Sequence, residues 1–217
     1  MSDKENIVCI AAHPDDIAHA MGGTGLLLKE KYQLHDICLT KGERGIKGTP
    51  YDEAGRIREA EERAACGILD MEVEFGGEIN GELYAGKELC EKVAGMVKEL
   101  EPVAVFTLWP VNAHPDHSAC YEIAMQSLHM NEIYHTMEVY FMENGIGGQT
   151  NQFEPDIYVD ISSVIDTKEK LIRCHASQNP TEERVQGVID RSRLRGKFAH
   201  CDHAEGFKTL RPVVNKK

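Results

Sequence analysis

Two tetrapeptides carry the residue types that hydrolytic metal chemistry needs. His13-Pro14-Asp15-Asp16 and His114-Pro115-Asp116-His117 each place candidate ligands within four residues. A catalytic Zn²⁺ takes three protein ligands, often histidine with one carboxylate, and keeps a further position open for water. The first tetrapeptide offers His13, Asp15 and Asp16; the second offers His114, Asp116 and His117. That exceeds what one ion needs. Hydrolysis also requires a base for the proton of water, a donor facing the developing oxyanion and a group that orients a ligand. Six side chains suffice for all of these roles. One such tetrapeptide alone would read as a turn whose Asp caps the next helix. Two of them, each following an apolar strand, favour chemistry.

The elements around them are of a kind that positions such groups. Ile7–Ala12, Leu34–Thr40 and Val103–Leu108 are apolar runs of strand length, and Glu138–Met142 and Ile157–Ile161 are weaker ones. Continuous rather than alternating apolarity suits parallel strands covered on both faces. Helical spacing of apolar residues spans Ile17–Lys31, Gly55–Leu69, Lys87–Leu100 and Ser118–His129. This alternation predicts an α/β fold: one Rossmann-like, mostly parallel sheet with helices on both faces, in a single domain over residues 1–217. Each tetrapeptide then lies where a strand hands over to a helix, with its proline at a turn into that helix. In such sheets sites form beyond the carboxyl ends of the strands. The Gly-rich stretches Lys41–Gly48 and Asn144–Gln149 read as long functional loops, and a helix and tail follow Thr181.

Composition narrows the ligand. The 217 residues include 36 acidic and 24 basic side chains, a formal net charge of −12, which argues against nucleic acid as a partner. Hydrophobic residues make up 41%, enough for a sizeable core. No apolar run approaches the roughly 20 residues of a membrane helix, and the polar start before Ile7 has no secretory pattern. The seven cysteines are scattered without a C-x-x-C pair, which suits reduced thiols in a cytoplasmic protein.

Several motifs, in order, resemble one family. They are Ala11-Ala12 with His13-Pro14-Asp15-Asp16, Gly22-Gly23-Thr24, Leu39-Thr40-Lys41-Gly42-Glu43 with Gly45, Arg56-x-x-Glu59 with Ala64-Ala65, His114-Pro115-Asp116-His117, and His175-x-Ser177-Gln178. Together they resemble the LmbE-like (PIG-L) zinc-dependent N-deacetylases over about residues 7 to 207. The branch acting on N-acetylglucosaminyl conjugates in bacterial (bacillithiol) thiol biosynthesis is the most similar. The resemblance implies zinc held by His13, Asp16 and His117, with Fe²⁺ as the alternative ion. It also implies Asp15 as general base, His114 facing the substrate carbonyl and Asp116 tuning a neighbouring histidine. Arg56, Gly42 and Glu43 would contact the substrate, a small N-acetyl sugar, and the protein would be a homo-oligomer. The chain departs from the family pattern at Ile17, where many members carry Glu, at His19 and at Asn80-Gly81.

Other signals read structurally. Gly42, Gly45 and Gly48 fit neither a P-loop nor GxGxxG and suggest a mobile site-lining loop. Gly22-Gly23 suggests close packing on the sheet. Arg56 reads equally as a substrate contact or as a solvated charge paired with Glu59 or Glu62. His175 reads as a packed or capping histidine, and His200-Cys201-Asp202-His203 as a surface or subunit-contact feature. The rival functions are another metal-dependent amidase, a non-haem Fe(II) enzyme, whose facial triad usually sits on all-β barrels, and a non-catalytic metal- and sugar-binding module.

Overall fold

In the computed structural model, which describes residues 4–133, 137–145 and 149–210, all five expected strands form and two more join them. The strands are β1 (Asn6–Ala11), β2 (Gln33–Thr40), β3 (Met71–Glu78), β4 (Ala104–Leu108), β5 (Glu138–Met142), β6 (Ile157–Asp160) and β7 (Ala204–Thr209). They make one sheet in the order β3-β2-β1-β4-β5-β7-β6. The first five run parallel; β7 is antiparallel to both β5 and β6. The two strands without an apolar run are the added ones. β3 lies at the sheet edge and exposes Glu72 and Glu74, so its pattern is that of a half-buried strand.

The helices are α1 (Asp16–Ala20), α2 (Gly22–Leu28), α3 (Tyr51–Leu69), α4 (Lys87–Leu100), α5 (Pro115–Met130), α6 (Ile165–Cys174) and α7 (Glu182–Ala199). α4 packs on α5, while α2, α3 and α7 pack around α6. Right-handed crossovers running outward in both directions from β1 put these two sets on opposite faces of the sheet. β1, β2 and β4 are therefore buried along nearly their whole length, which explains their unbroken apolarity. Among the described residues no helix is long and apolar enough to cross a membrane.

Two helix starts differ from the sequence expectation. α3 begins four residues early, after Pro50, with Asp52 and Glu53 in its first turn where acidic groups favour the helix dipole. α5 begins at Pro115, inside the second tetrapeptide, with His114 as its N-cap. The expected helix Ile17–Lys31 is divided at Met21 into α1 and α2. The break brings the start of α2 against Ile161: a Cβ on Gly23 would lie 2.8 Å from that side chain. There the Glu205 carboxylate accepts the N–H groups of Gly23 at 2.9 Å and Thr24 at 2.7 Å.

Glu205 also receives the Lys168 ammonium at 2.5 Å, and both side chains are buried. Lys168 Nζ donates further to Ser192 Oγ at 3.2 Å and the His19 carbonyl at 3.3 Å. Burial lowers the Lys168 pKa, and Glu205 opposes that shift. Removing one partner strands the other charge in the interior, at a typical cost of about 3–5 kcal/mol. Glu205→Leu is therefore expected to lower the unfolding free energy by that amount in urea titrations. Adding Lys168→Met should recover part of the loss; equal stability of the single variant and wild type would contradict this account.

Candidate active site

β1 and β4 are hydrogen-bonded neighbours, in register from Ile7 opposite Ala104 to Ile10 opposite Thr107. The chain leaves β1 towards β2 on one side and leaves β4 towards β5 on the other. This reversal opens a crevice at the carboxyl ends of the two strands. The tetrapeptides follow those ends, and a cleft of about 720 Å³ lies between them, lined by His13, Asp15, Asp16, His114 and His117 among others.

Donor atoms of three side chains converge at its floor. His13 Nδ1 lies 3.2 Å from His117 Nε2, His117 Nε2 lies 3.4 Å from Asp16 Oδ1, and His13 Nδ1 lies 3.8 Å from Asp16 Oδ2. Zinc bonds of about 2.0–2.1 Å in a tetrahedron separate the ligand atoms by about 3.3 Å, a spacing that the two distances from His117 Nε2 match, while the third distance runs to the other oxygen of Asp16. His13, His114 and His117 also bring ring nitrogens within 4.8 Å of one another. His114, however, stacks on His117 with ring centroids 4.8 Å apart. The donors present thus offer either Asp16 or His114 as the third partner of His13 and His117.

Surrounding groups hold these donors in place. Asp116 Oδ2 lies 2.9 Å from His13 Nε2, which keeps the Nε2–H tautomer and leaves Nδ1 as a lone pair facing the cleft. Asp116 Oδ2 also accepts Gly81 N–H at 2.6 Å. Burial raises the Asp116 pKa, but the hydrogen bonds from His13 and Gly81 outweigh it, leaving the carboxyl below its ordinary range. Asp16 Oδ2 accepts the N–H groups of Ala12 and His13 at 3.1 and 2.9 Å, and the Asn144 amide donates to Oδ1. Burial pushes His117 down to about 4, so its imidazole is neutral at pH 7, the form that binds metal.

Asp15 stands apart from this cluster. Its backbone has φ +96°, a conformation that costs a non-glycine residue roughly 1–3 kcal/mol and persists only when its surroundings enforce it. Asp15 N–H donates to Glu62 Oε2 at 2.7 Å, and the Asp15 carboxylate lies 3.4 Å from Arg58 Nη2. Burial raises the Asp15 pKa, and Arg58 opposes the shift. His114 offers a half-buried ring, and its Nδ1 has no hydrogen-bond partner among the described residues. Burial first, then the neighbouring His13, lowers the His114 pKa and keeps it neutral.

The family described as PIG-L, GlcNAc-PI de-N-acetylase, matches residues 8–128, more than half of the chain and both tetrapeptides. The chain belongs to this family. A PIG-L relative from Bacillus subtilis (strain 168), a probable N-acetyl-alpha-D-glucosaminyl L-malate deacetylase 2, is 25% identical over 193 residues, covering 81% of this chain and 84% of that protein. The 4-oxalmesaconate hydratase of Pseudomonas putida is 27% identical over 240 residues, covering 98% of this chain and 92% of the relative. The fold is shared with the N,N'-diacetylchitobiose deacetylase of Pyrococcus horikoshii, at a TM-score of 0.84 and 22% identity over 96% of this chain and 84% of that one.

Not every expected PIG-L position reaches the cleft. Arg56, Gly42 and Glu43 do not line it. Arg56 is exposed on α3 and pairs with Asp52 at 3.6 Å, rather than with Glu59 or Glu62. Two residues along a helix turn the side chain by about 200°. Arg58 is therefore the buried arginine, donating to the Pro14 carbonyl at 2.5 Å and the Gly42 carbonyl at 3.3 Å. Gly42, at φ +69°, passes so close beneath this guanidinium that a Cβ would lie 2.2 Å from Nη1. Glu43 pins its own loop by accepting Asn80 N–H at 3.1 Å and Lys41 N–H at 3.3 Å.

The sequence reading did not single out Arg58, Glu62, Arg184 or Arg191. A signal existed for the first two, because Arg58 and Glu62 occupy the buried face of α3 with Ala54, Ala65 and Leu69. The α7 residues carried no comparable mark. His19 lines the cleft, with Nε2 lying 3.2 Å from the Asn179 amide. His175 is fully buried, and burial pushes it down to about 3. His200–His203 forms the turn from α7 into β7, with His200 at φ +58°. All seven cysteines are free thiols.

Replacing His13 or His117 by Ala removes a donor without touching the strand pairing. Each variant is expected to keep the wild-type circular dichroism spectrum and to lose most of its cleft-bound divalent metal. Equilibrium dialysis with elemental analysis measures this, and unchanged metal retention would remove these histidines from the ligand set.

Proposed function

We propose that this protein is a metal-dependent hydrolase that removes the acetyl group from a small N-acetylglucosamine-containing molecule. The observation that carries the proposal is the division of labour in the cleft. A cluster of His13, Asp16 and His117 stands beside Asp15, a separate carboxylate that faces Arg58 from a strained backbone position. The deacetylase relatives support the same reading. His13, Asp16 and His117 would hold Zn²⁺, with Fe²⁺ as the alternative for the same nitrogen and oxygen donors. The bound ion supplies Lewis acidity, which polarises a carbonyl and acidifies water.

The protein's own groups do the remaining work. Asp15 takes a proton from the attacking water and later delivers it to the departing nitrogen, because an amide anion is a very poor leaving group. His114 turns its edge towards the carbonyl oxygen and helps to bear its developing charge. Asp116 orients His13 through Nε2. The sugar lies in the remainder of the cleft, whose α7 wall presents Arg184 and Arg191. Their guanidinium groups donate to the Gln178 carbonyl at 2.9 Å and the His19 carbonyl at 2.8 Å. They take the place of Arg56 as the groups that offset an anionic substituent on the sugar.

A second reading comes from the hydratase relative, which spans 98% of this chain. The same base and metal ligands would serve to add water to a double bond, and the arginines of the α7 wall, Arg184 and Arg191, suit a carboxylated substrate. Acetate release from a panel of N-acetylglucosaminides separates the readings. Deacetylation predicts acetate and free amine in equal amounts. Absence of both, together with loss of conjugated-diene absorbance on a muconate-type acid, would establish hydration instead.

Asp15→Asn keeps the side-chain shape and tolerates the same backbone, but it removes the base. The variant is expected to retain full metal content while kcat falls by about 10²–10⁴-fold, the usual contribution of a positioned acid–base group. Near-normal turnover with full metal would take Asp15 out of the mechanism.

A further inference from the structure

Beneath the cleft lies a second set of donors that the proposed reaction does not use. Asp36 occupies the middle of β2, and Glu62 and Cys66 face it from one turn of α3. All three are buried, at 1, 2 and 2% exposure. One donor atom from each lies within 4.8 Å of the others, and Cys66 Sγ is 3.5 Å from Glu62 Oε1. Both Asp36 oxygens are fully buried and have no hydrogen-bond partner among the described residues.

A lone proton does not satisfy this arrangement. Protonating Asp36 would remove its charge, yet the new O–H would need an acceptor at hydrogen-bond distance, and the second oxygen would still lack a donor. The interior around it has more acidic groups rather than a cation. Cys9 is in register with Asp36 on β1, and Cys38, two residues along β2, points to the same side of the sheet. Arg58 is engaged at Asp15 and at the Pro14 and Gly42 carbonyls. A cation with bonds of about 2.0–2.3 Å can join donors that stand too far apart to hydrogen-bond with one another.

We propose that Asp36, Glu62 and Cys66 form a second, interior metal site, separate from the catalytic cleft, that takes a borderline divalent ion such as Zn²⁺. Two carboxylates and one thiolate are too soft a set for Mg²⁺ or Ca²⁺, which bind through oxygen in larger numbers. The two ligands on α3 are four residues apart and share one helix face, and the strand supplies the third from the opposite side. Binding would displace the Cys66 thiol proton, which leaves to solvent, so occupancy would rise with pH. Glu62 links the two places, because its Oε2 accepts the N–H of Asp15 while its other oxygen faces Cys66. An ion there would fix the Glu62 carboxylate and so brace the strained Asp15 backbone.

The full-length protein is purified, stripped with chelator, reloaded with Zn²⁺, dialysed and analysed for metal. The expected stoichiometry is two ions per chain in the wild type. Asp36→Asn and Cys66→Ser should each keep only the cleft ion, and His117→Ala should keep only the interior one. One ion in the wild type, or two in Cys66→Ser, would overturn the proposal. Co²⁺ loading of the wild type gives a reading that does not depend on the variants folding. A thiolate-to-cobalt charge-transfer band in the near ultraviolet is expected, which His13, Asp16 and His117 cannot produce. Its absence from cobalt-loaded wild type, or its persistence in folded Cys66→Ser, would equally overturn the assignment.

Discussion

Parallel hydrogen bonding of β1 to β4 sends the carboxyl ends of both strands to the same edge of the sheet, side by side. Strand neighbours stand about 4.8 Å apart, so residues just beyond the two ends must come within reach of each other. His13 and His117 are 104 positions apart in the chain, yet their ring nitrogens meet at 3.2 Å. The same pairing brings Asp116 to the far side of the His13 ring. Prolines at 14 and 115 stiffen both turns, and the starts of α1 and α5 carry Asp16 and His117 inward. The meeting of His13, Asp16 and His117 is thus a consequence of sheet order, and moving either strand by one position in the order would dismantle it.

Bringing so many ionisable groups indoors requires each to be matched. Lys168 with Glu205, Arg195 with Glu143 and Arg58 with Asp15 are pairs in which the cation and the carboxylate are both largely buried. The first two fasten α6 and α7 to the β5–β7 side of the sheet, and so position the α7 wall of the cleft. The third holds the Asp15 carboxylate at the cleft. Asp36 differs in that, among the described residues, neither of its buried oxygens has a hydrogen-bond partner, and the electrostatics of the interior behind the cleft turn on how that charge is met.

The relatives show one scaffold under different chemistries, since proteins described as deacetylases and as a hydratase share this fold or sequence over most of the chain. Both reactions need an activated water and a proton carrier, which the strand-end tetrapeptides can supply. What differs is the group presented to that water. A fold shared at this level does not by itself fix the reaction, which depends on the groups that line the cleft.

The tetrapeptides and the continuous apolar strands were legible in the sequence because both are local: a turn rich in histidine and carboxylate declares itself by residue type, and a strand covered on two faces by unbroken apolarity. Parallel sheet architecture and the place of the site at the strand ends followed from those two signals. β3 and β7 were not legible, because an edge strand and a strand carrying Glu205 and Lys208 lack that apolar signature. Arg56 and Arg58 illustrate the same boundary within a helix. Both are arginines in the right neighbourhood, but only the rotation of α3 against the sheet turns Arg58 into the site and leaves Arg56 in water. Residue types and their spacing determined which chemistry was available. Which groups perform it was decided by contacts between distant segments, because strand order and helix rotation emerge only when the whole core packs.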